Sequence, residues 1–140
     1  MVKDTAELIK ELDLCPDFKT FYEENESQLL QKELPALLEE LMKGISLSKT
    51  DVIRNSGLNE IYAYQIFSGK RKPSRKKLLA LAVGMQLAPS HVQELLRCAG
   101  YAPLYVKLPY DSVVIYGICK KMSVPEINEL LFRYCKDFIG

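Results

Sequence analysis

A dense run of positive side chains near the middle of the chain is suited to binding anions. Residues 69–77 read GKRKPSRKK and carry six Lys or Arg side chains within eight positions. Such a cluster creates a local positive field, and the regularly spaced phosphates of a nucleic acid are its natural ligands. Phosphate binding is therefore the chemistry predicted for this segment.

Charge is distributed unevenly along a chain whose formal net charge is only +1. Residues 1–46 have a balance of −6, residues 47–107 have a balance of +7, and residues 108–140 are neutral overall. A local field of this kind acts on a polyanion even when the whole protein is close to neutral. The middle of the chain is therefore where a nucleic-acid site is expected.

Short helices must position this basic run, because apolar residues recur at helical spacing and no period-two pattern is sustained. Polar N-caps and terminal glycines predict four helices, capped by Ser48, Asn59, Ser74 and Ser90 and ending near Gly57, Gly69, Gly84 and Gly100. Gly57 permits the left-handed backbone that a tight turn between the first two of these helices needs.

Residues 47–82 resemble the Cro/C1 class, or XRE family, of bacterial and phage helix-turn-helix regulators. The positions that match the recurrent pattern of that family are Leu47, Ser48, Val52, Gly57, Leu58, Ile66, Phe67, Gly69, Lys70, Arg71, Pro73 and Ser74. The resemblance implies an all-α fold with a five-helix, lambda-repressor-like helix-turn-helix core over residues 33–100 and extra N-terminal and C-terminal helices. It also implies binding to double-stranded DNA.

By this resemblance, the helix over residues 59–68 lies in the major groove. Helical spacing turns Ala63, Ile66 and Phe67 inward and leaves Tyr62 at the boundary. The outward side chains, which are the candidates for base contact, are Glu60, Ile61, Tyr64 and Gln65. Among them Gln65 is the strongest candidate, because an amide can bond N6 and N7 of adenine as a pair.

Three positions depart from the family pattern. Glu60 stands where Gln, Arg or Ser is usual; its carboxylate can accept a hydrogen bond from cytosine N4 or serve the positive end of the helix dipole, and the second role is favoured. Ile53 stands where the family usually has a small residue in the first motif helix. Ala63 stands where the family usually has Val or Ile at the facing position of the second helix. The exchange is interpreted as a pair that preserves the packed volume.

Phosphate contacts are expected around that helix, where they would fix its register and make affinity strongly dependent on salt. The N-terminus of the preceding helix offers backbone N–H groups and a cation, and the basic run offers a cluster of cations. The candidates are Ser48, Lys49, Thr50, Asn59, Ser68, Lys70, Arg71, Lys72, Arg75 and Lys76, with Lys77 completing the six charges of the run.

The two flanks are not covered by the resemblance. Residues 1–32 are expected to form an acidic helical arm, in which the polar residues 25–27 start a further element after a break at residues 15–16. This negative arm could fold over the basic middle and weaken DNA binding, and either flank could bind a protein partner.

Residues 101–140 are expected to form a C-terminal helical pair, with Ser123 and Glu126 as a capping-box start. Their aromatic side chains exceed what two short helices can bury alone. They either complete the core or form a homodimer surface, which suits two-fold symmetric operators, and the sequence leaves both open.

Several classes of protein and site are disfavoured. The N-terminus lacks a signal-peptide pattern and no run approaches about 18 apolar residues, so a cytoplasmic protein without a membrane segment is expected. No two cysteines have CxxC spacing, so reduced, mostly buried thiols and no metal site are expected. The four cysteines are Cys15, Cys98, Cys119 and Cys135.

Catalysis is not expected either, since there is no phosphate-binding loop and no nucleophile–base set. The single histidine, His91, is expected at the surface, and no cofactor is expected. Two functions remain. The first is a sequence-specific transcriptional regulator of bacterial or mobile-element type. The alternative is an adaptor that keeps the helix-turn-helix fold and binds another protein.

Overall fold

Every regular element is a helix in the part of the chain that the structure describes, which comprises residues 3–26 and 33–140. This computed structural model contains nine α-helices and no strand within those residues. The all-α class predicted from the sequence is therefore confirmed. In chain order the helices are α1 (Thr5–Leu14), α2 (Phe18–Asn25), α3 (Leu34–Lys43), α4 (Lys49–Ser56), α5 (Glu60–Ser68), α6 (Arg75–Gly84), α7 (Pro89–Cys98), α8 (Pro109–Cys119) and α9 (Val124–Cys135).

The helices fall into two compact units, one within Met1–Gln31 and the other within Lys32–Gly140. In the first unit, the carboxylates of Asp4 and Asp17 accept hydrogen bonds from the first turns of α1 and α2. These caps satisfy backbone N–H groups that a helix start would otherwise leave without partners.

Asn25 is buried in the first unit by bonds to charged neighbours. Its side chain donates to Glu11 Oε2 at 3.0 Å and accepts from the Lys3 ammonium at 2.7 Å. The prediction that a new element begins here is wrong, because Asn25 ends α2 and Glu26 is its C-cap. Ser27, the third residue of that prediction, lies outside the described residues.

The second unit is built around α6. Every residue from Leu78 to Gly84 is buried, as expected for a helix that is apolar on all sides after its first turn. α4 packs along α6, and α7 and α9 also contact it. α5 contacts α3 and α4, and it keeps one face open to solvent.

The capping residues predicted around the turn between α4 and α5 are found in the structure. Ser48, Asn59 and Ser74 each accept a hydrogen bond from a first-turn backbone N–H and cap α4, α5 and α6. Gly57 ends α4 with a φ of 72°, and Gly69 ends α5 with a φ of 85°. Both values lie in the left-handed region that glycine tolerates without strain, so three residues suffice to join α4 to α5.

The backbones of α4 and α6 touch at Gly84. A Cβ atom at this position would lie 2.7 Å from the Val52 carbonyl oxygen and 2.9 Å from the Ser56 nitrogen. Main-chain atoms cannot rotate aside as a side chain can, so glycine alone fits without moving a helix. The contact sets the distance of α4 from the central helix, and with it the start of α5.

The start of α7 differs from the prediction. Ala88 is the N-cap and Pro89 is the first helical residue, so the prediction that Ser90 caps this helix is wrong. Proline suits the first position because its missing N–H would have no helical partner there and its φ is already near the helical value. The prolyl residue therefore begins the helix two positions before the predicted start.

The C-terminal helices pack onto the second unit: α8 contacts α7, α9 contacts α6, and the two contact each other. A Cβ atom at Gly117 would overlap Ile127, so α8 and α9 approach closely at this point. Ser123 and Glu126 form the predicted capping box at the start of α9.

A buried ion pair joins α6 to α8. The Asp111 carboxylate is 2% exposed and accepts from both terminal nitrogens of Arg75 at 3.0 Å. It also accepts from the Tyr105 N–H at 2.9 Å, while Arg75 Nε donates to the Ala102 carbonyl at 3.1 Å. One ion pair thus fastens both α8 and the loop before it to the first turn of α6.

The cysteines are less buried than predicted. Three are half-buried and one is exposed, and all four lie at the C-terminal end of a helix. No disulfide and no cluster of three or more metal-ligating side chains occurs among the described residues. Within the same residues, no helix is long and apolar enough to cross a membrane. The half-buried cysteines are Cys15, Cys98 and Cys135, and the exposed one is Cys119.

Candidate nucleic-acid interface

α5 has one buried and one open face. Ala63, Ile66 and Phe67 are buried as predicted, and Tyr62 lies at the boundary. All four candidates for base contact lie on the open face, with Gln65 half-buried and the others exposed; they are Glu60, Ile61, Tyr64 and Gln65. A helix of nine residues therefore presents a polar, aromatic and aliphatic side chain set to the same side.

Two of these side chains carry apolar surface into solvent. Ile61 is 71% exposed and Tyr64 is 39% exposed. The Tyr64 hydroxyl lies 3.3 Å from the Thr50 hydroxyl, which links the middle of α5 to the first turn of α4. Shallow hollows lie on both sides of Tyr64, one bordered by Ile61 and the other by Glu60. Apolar contact with thymine methyl groups is the readout available to such side chains.

Glu60 occupies the first position of α5, where the positive end of the helix dipole favours a carboxylate. It lines the same hollow as Arg54 and Tyr64. The carboxylate is also exposed, so this position is compatible with both roles predicted for it, the dipole partner and the acceptor for cytosine.

Arg71 is held against the last turn of α5. Its Nε donates to Gln65 Oε1 at 2.9 Å, and its backbone N–H donates to the Gln65 carbonyl at 3.2 Å. The guanidinium lies 5.9 Å from the centre of the Tyr62 ring, which Lys77 approaches to 5.4 Å. Sequence reasoning gave Arg71 a phosphate and missed its pairing with Gln65, for which a six-residue separation gives no recognisable signal.

A carboxylate already occupies the N-terminus of α4. The Ser48 and Asp51 side chains and N–H groups bond each other reciprocally, at 3.1 and 3.4 Å. These bonds from Ser48 lower the pKa of the Asp51 carboxyl, which keeps it ionised at neutral pH. A phosphate at this helix end would meet that negative charge, so the backbone N–H groups here are weaker anion ligands than the sequence suggested.

Lys49 and Thr50, the other candidates at this helix start, remain near α5. The Lys49 ammonium donates to Glu39 at 2.8 Å and lies 4.8 Å from the centre of the Phe67 ring. Both partners leave the ammonium at the surface, where it borders the same hollow as Ile61. Lys49 is therefore placed beside α5 with its charge partly balanced.

Asn59 and Ser68 mark the two ends of α5. Asn59 Oδ1 accepts from the Tyr62 N–H at 3.0 Å, and the Ser68 hydroxyl donates to the Gln65 carbonyl at 3.1 Å. Both side chains are exposed, so each keeps a polar group at the surface next to the open face.

The basic run divides into two parts. Residues 70–72, a Lys-Arg-Lys triplet, are exposed directly after α5. Arg75 is bonded to Asp111, and the Lys76 ammonium donates to Asp137 at 2.5 Å. The bond from Lys76 lowers the pKa of the Asp137 carboxyl, so this pair is ionised at neutral pH. Two of the ten predicted phosphate ligands thus hold the C-terminal segment instead of facing outward.

Tyr101 supports the loop that carries the triplet. Its hydroxyl donates to the Pro73 carbonyl at 2.5 Å, and Lys72 lies 5.0 Å from the centre of its ring. At the start of the same loop, Gly69 approaches Pro35 of α3, where a Cβ atom would lie 3.0 Å from Cγ. The loop is therefore packed at both ends, and it holds the triplet in place beside α5.

The face described here combines base-sized apolar and amide groups with exposed cations at one end. Comparison of the chain with models of protein families, with curated proteins and with solved structures found no match.

Proposed function

We propose that this chain is a sequence-specific DNA-binding transcriptional regulator, with α3–α7 arranged as the lambda-repressor-like helix-turn-helix core of the Cro/C1 (XRE) family. The observation that carries the proposal is the open face of α5, on which Gln65, Tyr64 and the 71% exposed Ile61 lie beside the Lys-Arg-Lys triplet at 70–72. α5 is the recognition helix of this proposal.

The dimensions of α5 suit the major groove. Nine residues at 1.5 Å each give a helix of about 14 Å, and a groove about 12 Å wide admits one helix. The buried face, formed by Ala63, Ile66 and Phe67, anchors α5 to the core, so the open face can enter the groove without loss of packing.

Phosphate contacts are assigned to the exposed triplet at residues 70–72 and to Lys49, which borders the same hollow of the open face as Lys70. Arg75 and Lys76 are left out because their partners, Asp111 and Asp137, belong to the C-terminal segment that these two side chains hold, whereas Lys49 pairs with the exposed Glu39. Three to four contacts predict that the logarithm of the binding constant falls with the logarithm of salt concentration with a slope of about −3.

A homodimer through the C-terminal helices completes the proposal. Tyr116 and Tyr134 are more than half exposed and border an apolar hollow between α8 and α9, together with Val113 and Leu130. A two-fold dimer would place two copies of α5 on two half-sites of a palindromic operator. Such a regulator acts in the bacterial cytoplasm, by binding alone, without a cofactor.

The alternative function is an adaptor that uses the same fold to bind a protein. The position of Glu60 favours it, because a carboxylate at the leading end of α5 is repelled by DNA phosphates. The hollow between α8 and α9 offers a second apolar surface for such a partner. The two functions make opposite predictions for binding to DNA.

The experiment is selection from a random duplex-DNA pool, followed by sequencing and affinity measurement across a salt series. Wild type is compared with the triple variant Gln65→Ala, Lys70→Ala, Arg71→Ala. We expect wild type to enrich one motif, with two half-sites if the dimer forms, and the triple variant to lose that motif. Removing Lys70 and Arg71 should also reduce the salt slope, by about 1 for each phosphate contact that is lost.

A matched control is the triple variant His91→Ala, Arg97→Ala, Lys107→Ala. It also removes two Lys or Arg side chains and one further polar side chain, all from exposed positions of α7 and the loop that follows it. It should retain the motif and the slope. The proposal would be contradicted, and the adaptor favoured, if wild type binds DNA weakly and without selectivity and if the control variant loses this binding as much as the triple variant does.

A further inference from the structure

Gln65 and Arg71 are held together in the free protein. The 2.9 Å bond from Arg71 Nε to Gln65 Oε1 is reinforced by the 3.2 Å backbone bond between the same residues and by the Tyr62 ring beneath the guanidinium. Three contacts from one short loop therefore fix the guanidinium against the amide before any ligand arrives. Separately, Gln65 is a candidate base reader and Arg71 a candidate phosphate ligand. A guanidinium held against the amide would serve the base reader, with Lys70 and Lys72 left as the phosphate ligands of the triplet.

The bond also fixes which end of the amide faces Arg71. A guanidinium carries five N–H donors and no acceptor, so the amide atom opposite it must be the carbonyl oxygen. The NH₂ group of Gln65 is then turned away from Arg71 with both donor hydrogens. The guanidinium contributes its four remaining N–H donors in the same plane as this bond. Side by side, the two groups present mainly donors and one positive charge.

We infer that this pair is a donor-rich reader that selects guanine in duplex DNA, rather than the adenine expected of an isolated glutamine. Guanine presents two acceptors, N7 and O6, on its major-groove edge, whereas adenine presents one acceptor and the N6 amino donor. Oε1 keeps a second lone pair for an adenine amino group, but that amino group would lie beside the Arg71 cation. The inference rests on the proposed function, since it names the base read by the proposed recognition helix.

The experiment uses the full chain and the enriched duplex from the random-pool selection, resynthesised with each of the four bases at every position of a half-site. We expect one position at which wild type prefers guanine to adenine about tenfold, as one paired contact to a base edge provides. Gln65→Ala and Arg71→Ala should both abolish this preference at that same position. Lys70→Ala, the matched loss of a neighbouring exposed cation, should weaken binding to all duplexes equally and keep the preference.

Other outcomes overturn the inference and leave the proposed function standing. The inference is wrong if adenine is preferred at the position that Gln65→Ala affects, or if Arg71→Ala leaves that position unchanged. Absence of any enriched motif contradicts the proposed function itself, and the inference fails with it.

A second measurement does not depend on DNA. In the free protein, hydrogen exchange at Arg71 Nε, followed by ¹⁵N NMR, should be slower in wild type than in Gln65→Ala. Equal exchange rates would mean that the pair does not form in solution and would overturn the inference regardless of the binding data.

Discussion

Substitution of Asp111 by alanine should weaken the attachment of the C-terminal helices to the central helix more than substitution of any exposed residue. The carboxylate is buried and accepts three hydrogen bonds, two from Arg75 and one from the Tyr105 N–H. Its removal leaves the guanidinium without its counter-ion and the Tyr105 N–H without its acceptor. The effect is on the free energy of unfolding of the second unit.

The magnitude follows from the burial of the two partners. Removing one partner of a fully buried ion pair costs about 3–5 kcal/mol. The Arg75 side chain is 26% exposed and keeps the carbonyls of Ala102 and Pro103, so water and these acceptors compensate part of the loss. We expect Asp111→Ala to cost about 2–3 kcal/mol, which lowers Tm by about 8–12 °C for a unit of this size.

The assay is urea denaturation followed by far-ultraviolet circular dichroism, with the midpoint and the slope fitted separately. The matched control is Glu129→Ala, which removes the exposed ion pair with Arg133 at 3.6 Å and should cost less than about 0.5 kcal/mol. A double variant, Arg75→Met with Asp111→Leu, replaces the pair by apolar groups and should recover at least 1 kcal/mol relative to Asp111→Ala.

Two results would refute this reasoning. If Asp111→Ala costs no more than Glu129→Ala, the ion pair does not stabilise the unit. If the double variant is less stable than Asp111→Ala, the cost arises from lost packing and not from the uncompensated charge.

Three further predictions concern the core and the pH dependence. Ile53→Ala should cost about 2–4 kcal/mol, and the double variant Ile53→Ala, Ala63→Val should be more stable in urea than the worse single variant; if it is not, the two positions do not compensate. Burial raises the pKa of the Tyr110 hydroxyl, with Asp137 adding to the shift, so its contribution to stability is complete below pH about 10 and is lost as pH rises further. Tm of Tyr110→Phe should therefore fall less than that of wild type above pH 10, and equal slopes would contradict this. Hydrogen bonds lower the pKa of Asp51, so its contribution is present above pH about 4 and is lost as pH falls through the folded-state pKa; Asp51→Asn should flatten the acid side of the Tm profile, and an unchanged profile would exclude this role.

Local signals were sufficient for much of the second unit. The caps at Ser48, Asn59 and Ser74 act within three residues of themselves, so the sequence shows both partners of each bond. The two faces of α5 follow from helical spacing for the same reason. The predicted start of α7 was wrong because two local signals compete there, a proline that favours the first helical position and a serine that favours the N-cap. The helix begins at Pro89, and the serine that follows it is not the cap.

Long-range pairing was beyond the sequence. Arg75 and Asp111 are 36 positions apart. The arginine lies within a run of cations, and nothing in the sequence distinguishes it from the others. Whether such a cation faces solvent or a buried carboxylate depends on where α8 packs, which no local pattern encodes. The same holds for Tyr101, whose support of the basic loop spans 28 positions.

The main-chain contact at Gly84 bears on how sequence variation in this protein should be read. In a library with every substitution at every position, variants with any other residue at position 84 should be depleted under selection for folding alone. The reason is that the neighbours of Gly84 are the backbone of another helix. Ile61, 71% exposed, should pass a folding selection with almost any residue and be constrained only when binding is selected. The difference between the two selections would separate the residues that maintain the scaffold from those that recognise a ligand.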